Sequence, residues 1–346
     1  MGITTMEKCK LCKINDADKK GSHIVPHFLL KRIDNVEGEK GRDYELGFVI
    51  GGNNVQSYFG RSLQPEKLEE IYGEVSDEEI ENNKVLSVVD NVFCSSCEKR
   101  ISIIEAEYAQ TLKNTSDTVY KSGCSSAIGL LFWMSVIWRM SIHRRYGTHL
   151  TTGEEEACRN LLNKYLPNSI DSIDIESMKS HKLLNRASYK LMRAPNYTDH
   201  HATCLFFHPL FRNPYSLLID EYILLFSLKG NYIQLKDFYG VKDEIGKTPI
   251  NKIGSDEKIL PLTEEKMKCV NSNIINKIKD IELSLISKWL DRIHIRLGGK
   301  GRIMPSLIKK QIFDEITSDE KKLGRKYTLH DIAQSTFKIL SQFAKE

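Results

Sequence analysis

Cys9-Lys10-Leu11-Cys12 and Cys94-Ser95-Ser96-Cys97 are two Cys-x-x-Cys pairs in a chain of 346 residues. A gap of two residues lets backbone amides wrap around a thiolate-bound metal, and two such pairs supply the four ligands of a closed tetrahedral zinc site. The alternatives are a redox dithiol or a chance spacing. The other four cysteines are isolated along the chain (Cys124, Cys158, Cys204 and Cys269). The two pairs therefore predict one structural Zn²⁺ that joins segments far apart in the sequence.

The composition is that of an ordinary globular protein, with 40% hydrophobic and 28% charged residues. The formal net charge of +4 neither requires nor excludes a nucleic-acid partner, because phosphate binding depends on local clusters of Lys and Arg. The longest apolar stretch, Ala127 to Met140, is shorter than the ~20 residues that a membrane span requires. We therefore expect a buried core helix there and no membrane partner.

The first eight residues contain no apolar signal core, so we expect a cytoplasmic location. Eight cysteines without a signal peptide indicate a reducing compartment. In such a compartment, paired cysteines bind metal more often than they form disulfides.

Between the two pairs, Ser22-His23-Ile24-Val25-Pro26 places a histidine before an Ile-x-Pro turn, and an asparagine shortly precedes the second pair. In this order the residues resemble the HNH (ββα-metal) endonuclease family in its zinc-bearing form. The resemblance covers about residues 6–112, and the matching residues are Cys9, Cys12, His23, Ile24, Pro26, Asn91, Cys94 and Cys97. It implies a zinc-stabilised, treble-clef-like ββα module that hydrolyses phosphodiester bonds.

The resemblance also implies roles for individual residues. In that family the histidine before Ile-x-Pro is the general base that takes a proton from the attacking water, and His23 matches it. Imidazole suits this role because it titrates near neutrality. A divalent cation, Mg²⁺ or Mn²⁺, is implied at the scissile phosphate and the leaving 3′-oxygen. Asn91 is expected to support the site, with a plain turn or helix cap as the alternative.

Two positions depart from the family pattern. Ser22 stands where the family has Asp or His, and Glu98 stands where it has Asn or His. Because hard cations accept carboxylate oxygens, we expect Glu98 to be the main ligand of the catalytic metal. Glu105, two helical turns later, His27 and Ser22 are lesser candidates. The alternative is a decayed site in which only the zinc scaffold remains.

The predicted fold class is α+β, with a boundary at residue 112. Residues 1–112 form the zinc module, with an inserted lobe over 35–85 in which Gly51-Gly52-Asn53-Asn54 is a turn between strands. Residues 113–346 form a mainly helical domain with a β segment near 200–240 and a role in DNA or partner binding. Apolar periodicity predicts helices over 99–112, 127–145, 154–165 and 263–297, and one or two more in 305–346.

Basic residues of the second part are candidates for nucleic-acid contact. They lie near the end of the predicted core helix and in a glycine-rich loop (Arg139, Arg144, Arg145, Lys300 and Arg302). Contact with phosphates is one interpretation. For those at the helix end, charge that complements the helix dipole is the alternative.

Together these features predict a metal-dependent HNH-like endonuclease that acts on DNA, with RNA as the alternative substrate. Modules of this kind are often effectors of bacterial antiviral defence, which implies an activating protein partner or self-association. The competing hypothesis is a non-catalytic, zinc-stabilised module that binds nucleic acid or protein.

Overall fold

The computed structural model describes residues 7–30, 46–51, 54–59, 88–144, 150–201, 204–208, 212–323 and 329–343. Over these residues the fold is a mixture of helices and sheet, which confirms the predicted α+β class. The chain divides into two compact units. The first comprises Met1–Tyr58 and Lys84–Ile274, and the second comprises Phe59–Asn83 and Ile275–Glu346.

The first third of the chain contains mostly short elements. In chain order they are β1 (Ser22–His23), α1 (His27–Leu30), β2 (Leu46–Gly51), β3 (Asn54–Phe59), β4 (Val88–Val89) and α2 (Ser95–Ala109). Strands β1 and β4 pair antiparallel, with Ser22 opposite Val89 and His23 opposite Val88. Strands β2 and β3 form a second two-stranded sheet on either side of the predicted turn. The rest of the predicted 35–85 lobe lies outside the described residues.

The remainder of the first unit is built around a six-stranded mixed sheet. Its strands are β5 (Tyr120–Ser125), β6 (Ser188–Arg193), β7 (Phe206–Phe207), β8 (Tyr215–Ile219), β9 (Tyr222–Ser227) and β10 (Asp256–Pro261). The spatial order is β5-β10-β6-β9-β8-β7. Strands β10 and β6 run parallel, whereas the other neighbours are antiparallel. The β segment predicted near 200–240 is present as β7 to β9, within a larger sheet than the sequence indicated.

Helices and 3₁₀ turns connect these strands. They are a 3₁₀ turn (Gln110–Lys113), α3 (Ser126–His143), α4 (Thr152–Tyr165), a second 3₁₀ turn (Ile170–Ser172), α5 (Ile175–Ser180), α6 (Lys182–Arg186), α7 (Tyr197–His200) and α8 (Lys242–Lys247). Thr151 and Glu154 form a reciprocal capping box that fixes the start of α4.

Helix α3 is the core helix of this unit, close to the span predicted for it. The Ser125 hydroxyl accepts a hydrogen bond from the Ile128 N–H at its start, and Arg144 ends it in a left-handed conformation with φ of 52°. Nearly all of its side chains are buried, as its apolar sequence predicts. Among the described residues, neither α3 nor any other helix is long and apolar enough to cross a membrane.

Aromatic stacking joins α2 to α3 and α3 to the sheet. The Tyr108 ring of α2 stacks on Phe132 of α3 with centroids 4.0 Å apart. Trp133 of α3 packs edge-on against Tyr222 of β9 at 5.6 Å. One hydrophobic core therefore runs from the cysteine pairs to the sheet, and the boundary predicted at residue 112 falls within it.

The second unit is helical over most of its described residues from Ile275 onward. Helix α9 (Glu264–Arg296) begins in the first unit and ends in the second, and α10 (Ser306–Leu323) and α11 (Leu329–Phe343) follow it. The predicted helix over 263–297 is therefore confirmed, and the one or two helices predicted in 305–346 are present as two. The small core of this unit is formed by Leu290, Met304, Ile312 and Ile339.

Candidate functional site

The four paired cysteines form one cluster. Their Sγ atoms all lie within 4.8 Å of one another, and the Sγ atoms of Cys12 and Cys94 are 4.0 Å apart. Four sulfurs at a Zn–S distance of ~2.3 Å in a tetrahedron lie about 3.8 Å apart, so the observed spacing is close to that of a loaded site. The predicted meeting of the two pairs is confirmed. The cluster can hold a structural metal such as zinc.

Backbone hydrogen bonds shape the first pair into a tight turn. The Lys13 N–H donates to the Cys9 carbonyl at 2.9 Å, with Lys13 in the left-handed region at φ of 62°. The Cys9 N–H donates to the Asn15 carbonyl at 2.8 Å, and the Lys10 N–H donates to the Val92 carbonyl at 2.9 Å. The last of these bonds ties the first pair to the segment that leads into the second pair.

A hydrogen bond links two of the four sulfurs. The Cys97 thiol donates to the Cys9 sulfur, and this bond lowers the pKa of Cys9 and raises the pKa of Cys97, whose burial acts in the same direction. Thiolates, not thiols, ligate metals, so a divalent cation would displace this proton. Metal binding by the four cysteines would therefore release their thiol protons.

The second pair leads directly into α2. Cys94 holds the extended conformation at the helix start, and the Asp18 carboxylate caps the helix by accepting from the Ser95 N–H at 2.8 Å. Hydrogen bonds from the Ser95 N–H and from the Ser95 hydroxyl lower the pKa of Asp18. The first turn of α2 therefore contains Cys97, a member of the sulfur cluster, and Glu98, the next residue in the chain.

The structure brings Ser22 and Glu98 together. Ser22 is fully buried in β1, and its hydroxyl donates to Glu98 Oε2 at 3.1 Å. Burial raises the pKa of Glu98, while the bond from Ser22 and the charge of Arg139 oppose that rise. His23 follows Ser22 in the same strand, and the buried Ile24 and Val25 anchor the chain beyond it. A hydroxyl, a carboxylate and an imidazole therefore occur on two adjacent elements beside the cysteine cluster.

Arg139 does not take the place predicted for it at a nucleic-acid surface. Its side chain is only 1% exposed, because α3 is enclosed by the rest of the unit. Nη2 lies 2.6 Å from Glu105 Oε1, and Nη1 donates to the His23 carbonyl oxygen at 2.8 Å. Glu105, predicted as a secondary metal ligand, is thus ion-paired with a buried guanidinium.

The other predicted residues occupy simpler positions. Asn91 is exposed with φ of 57°, and its N–H donates to the Lys19 carbonyl at 2.8 Å, so its backbone forms a turn before α2. His27 is the first residue of α1. Arg144 is exposed at the end of α3, and Lys300 and Arg302 are exposed in the loop after α9. Arg145 lies outside the described residues.

A buried carboxylate at the far end of α2 was not predicted from the sequence. Glu257 of β10 is fully buried, and its Oε1 accepts from the Tyr189 hydroxyl at 2.6 Å and from the Tyr108 hydroxyl at 3.0 Å. Burial raises the pKa of Glu257 to about 7, against the hydrogen bonds that favour its charged form. Glu257 stands between Asp256 and Lys258, and such a charged run ordinarily indicates solvent exposure, so the sequence carries no signal for it.

The candidate site therefore has three connected parts in the first unit. The cysteine cluster fixes the start of α2, β1 carries Ser22 and His23, and Arg139 of α3 bonds to both β1 and α2. Comparisons of this chain with protein-family models, with curated proteins and with solved structures found no match to any of them.

Proposed function

We propose that this chain is a metal-dependent, HNH-like endonuclease that hydrolyses phosphodiester bonds of DNA. The observation that supports it is the hydrogen bond of 3.1 Å between Ser22 and Glu98, next to His23 and the cysteine cluster. The antiparallel pair β1 and β4, with α2 directly after β4, would correspond to the ββα-metal module, and α1, β2 and β3 would then be an insertion between its two strands.

His23 would act as the general base. Its imidazole would take a proton from the water that attacks phosphorus, a role that suits imidazole as a general base. His23 lies in strand β1, and the buried side chains of Ile24 and Val25 anchor the chain directly after that strand.

Glu98 and Ser22 fit a hard divalent cation, because both offer oxygen atoms and one of them carries charge. Mg²⁺ or Mn²⁺ held there would neutralise charge on the scissile phosphate and on the leaving 3′-oxygen. Such cations keep several water ligands, so two protein oxygens are a sufficient anchor. Glu105 is paired with Arg139, so Glu98 is the carboxylate we assign to this role.

The cysteine cluster would hold zinc in a structural role. A closed set of four thiolates leaves no open position for substrate, and its binding energy would stabilise the folded module. The cluster would hold the start of α2, and hence Glu98, near β1.

Cleavage of supercoiled plasmid with Mg²⁺ or Mn²⁺ tests the proposal. Loss of a general base costs ~10²- to 10⁴-fold in rate, so His23→Ala should show that loss and Glu98→Gln should show weaker activation by metal. His201→Ala is the matched control, since His201 pairs with Glu264 of α9. Full activity of His23→Ala would contradict the assignment.

Single-stranded and structured RNA belong in the same assay, because the chemistry at phosphorus is common to both polymers. We assign DNA as substrate and the exposed Arg144, Lys300 and Arg302 as phosphate contacts. We also propose action in the cytoplasm as an antiviral effector, switched on by a protein partner or by self-association. Preferred cleavage of RNA would reassign the substrate and leave the roles of His23 and Glu98 intact.

The second candidate function is a zinc-stabilised binding module without catalysis. The observation that favours it is the neutral Ser22 hydroxyl at the position where the resembled family has a charged or imidazole ligand. Retained DNA binding with no cleavage under any divalent cation would favour this module over the nuclease.

A further inference from the structure

We propose that Arg139 is a positioning residue for His23, and that Glu105 is its counterion and not a metal ligand. This inference rests on the proposed function, since it explains how the general base is held. It concerns a side chain that lies behind the site and has only 1% of its surface exposed.

One guanidinium bonds to three separate elements. On its own helix, Arg139 Nε donates to the Ser135 carbonyl of α3 at 3.3 Å. Nη1 donates to the His23 carbonyl of β1 at 2.8 Å, and Nη2 pairs with Glu105 of α2 at 2.6 Å. Arg139 therefore fixes the strand that carries the base relative to the helix that carries Glu98.

The bond to His23 matters because β1 is so short. Only Ser22 and His23 form the strand, and they pair with only Val88 and Val89. A ladder of two residue pairs constrains the His23 backbone weakly. The Arg139 contact is made to the carbonyl next to the Cα atom that carries the imidazole, so it restrains the backbone from which that side chain projects.

The ion pair with Glu105 explains how a guanidinium can lie at this depth. A buried charge is tolerated when an opposite charge lies against it. The planar fork of arginine serves two partners in fixed directions, which an ammonium group cannot reproduce. Glu105 thereby completes the support of β1, and its charge is already neutralised.

The decisive variants are Arg139→Lys and the double variant Arg139→Met with Glu105→Gln. The first keeps the charge but loses the fork. The second removes both charges together, so that no unpaired buried charge is left to unfold the protein. Arg100→Lys is the matched control, since Arg100 of α2 also donates to backbone carbonyls, those of Asn163 and Leu166.

We expect both Arg139 variants to keep their bound zinc and to lose kcat by ~10- to 100-fold, the usual cost of a displaced catalytic group. KM for DNA should stay within about threefold of wild type, because a buried side chain does not touch substrate. Arg100→Lys should keep wild-type kcat. Wild-type kcat in both Arg139 variants, or a loss of kcat that only follows loss of zinc, would overturn the inference.

Hydrogen exchange of the peptide over 19–30 separates this inference from the proposed function. Arg139→Lys should exchange faster than wild type in this peptide, whereas Arg100→Lys should not. If the wild type cleaves no nucleic acid, the proposed function fails. Faster exchange in Arg139→Lys would still show that Arg139 restrains the β1 backbone. Unchanged exchange in Arg139→Lys would contradict the restraint of β1 by Arg139.

Discussion

The buried hydroxyl of Ser22 donates a hydrogen bond to the Glu98 carboxylate over 3.1 Å. This contact joins the strand of the proposed base to the first turn of α2. An acidic side chain at position 22 would therefore face Glu98 directly.

Ser22→Asp is expected to bind Mn²⁺ at least about tenfold more tightly than wild type, because affinity for hard cations rises with the number of charged ligands. Without metal, the same variant should be less stable, since two neighbouring buried carboxylates repel each other. Isothermal titration with Mn²⁺ and thermal unfolding with and without Mn²⁺ measure both effects. Ser22→Ala is the control for simple loss of the hydroxyl. Equal Mn²⁺ affinity of Ser22→Asp and wild type would show that the cation binds elsewhere.

Removal of one cysteine of the cluster should release the structural metal. We expect about one zinc per chain in the wild type and little in Cys94→Ser, with a large loss of stability because binding energy at such a site is folding energy. Metal analysis and thermal unfolding measure this. Cys269→Ser is the control, since Cys269 is exposed on α9. A metal-free wild type that unfolds at the same temperature as Cys94→Ser would contradict a structural zinc.

Local patterns in the sequence located the cysteine cluster and the long helices. The spacing within each Cys-x-x-Cys pair depends only on neighbours, and α3 and α9 correspond to stretches that are long enough to favour a helix over a strand. The meeting of Ser22 with Glu98 was anticipated only through the resemblance, and its distance needed the structure.

Features that depend on tertiary packing were missed. Strands β5 and β10 contain glycine, serine and charged residues, so they lack the β-branched character that indicates a strand. Both strands contact α3 in the folded unit. Arg139 was wrongly interpreted as a surface cation. Its burial depends on the ion pair with Glu105, and a sequence does not show that the two residues meet.

Gly129 of α3 is required by close packing against the buried carboxylate. A Cβ atom there would collide with the Tyr189 hydroxyl and with Glu257 Oε1, both of which are enclosed by the core. Gly129→Ala should therefore cost ~1–3 kcal/mol or more by overpacking, which outweighs the ~1 kcal/mol that alanine gains in a helix. Denaturant unfolding at fixed pH measures the change.

Gly153→Ala in α4 is the matched control, because a Cβ atom there meets nothing within 4 Å. It should stabilise the protein by about 0.4–1 kcal/mol. Equal effects of the two substitutions would show that the contact between α3 and Glu257 is looser than described.

Glu257 should make the free energy of unfolding depend on pH in a defined window. Its pKa is raised by burial from an ordinary 4.5 to about 7 in the folded protein. Between these values the folded state holds a proton that the unfolded state has released, so stability falls as pH rises from about 4.5 to about 7. Above about pH 7, the ionisation of Glu257 therefore lowers the free energy of unfolding by an amount on the order of 3 kcal/mol relative to acid pH.

Glu257→Gln removes the titrating group while keeping an oxygen that can accept from Tyr108 and Tyr189. Urea unfolding at several pH values from 4.5 to 8 should therefore show a shallower decline in the variant than in the wild type. Glu265→Gln, at an exposed position of α9, should keep the wild-type decline. Loss of this pH dependence in Glu257→Gln would trace it to the Glu257 carboxyl, which accepts from Tyr108 in the last turn of α2. An unchanged decline in Glu257→Gln would mean that other groups govern it.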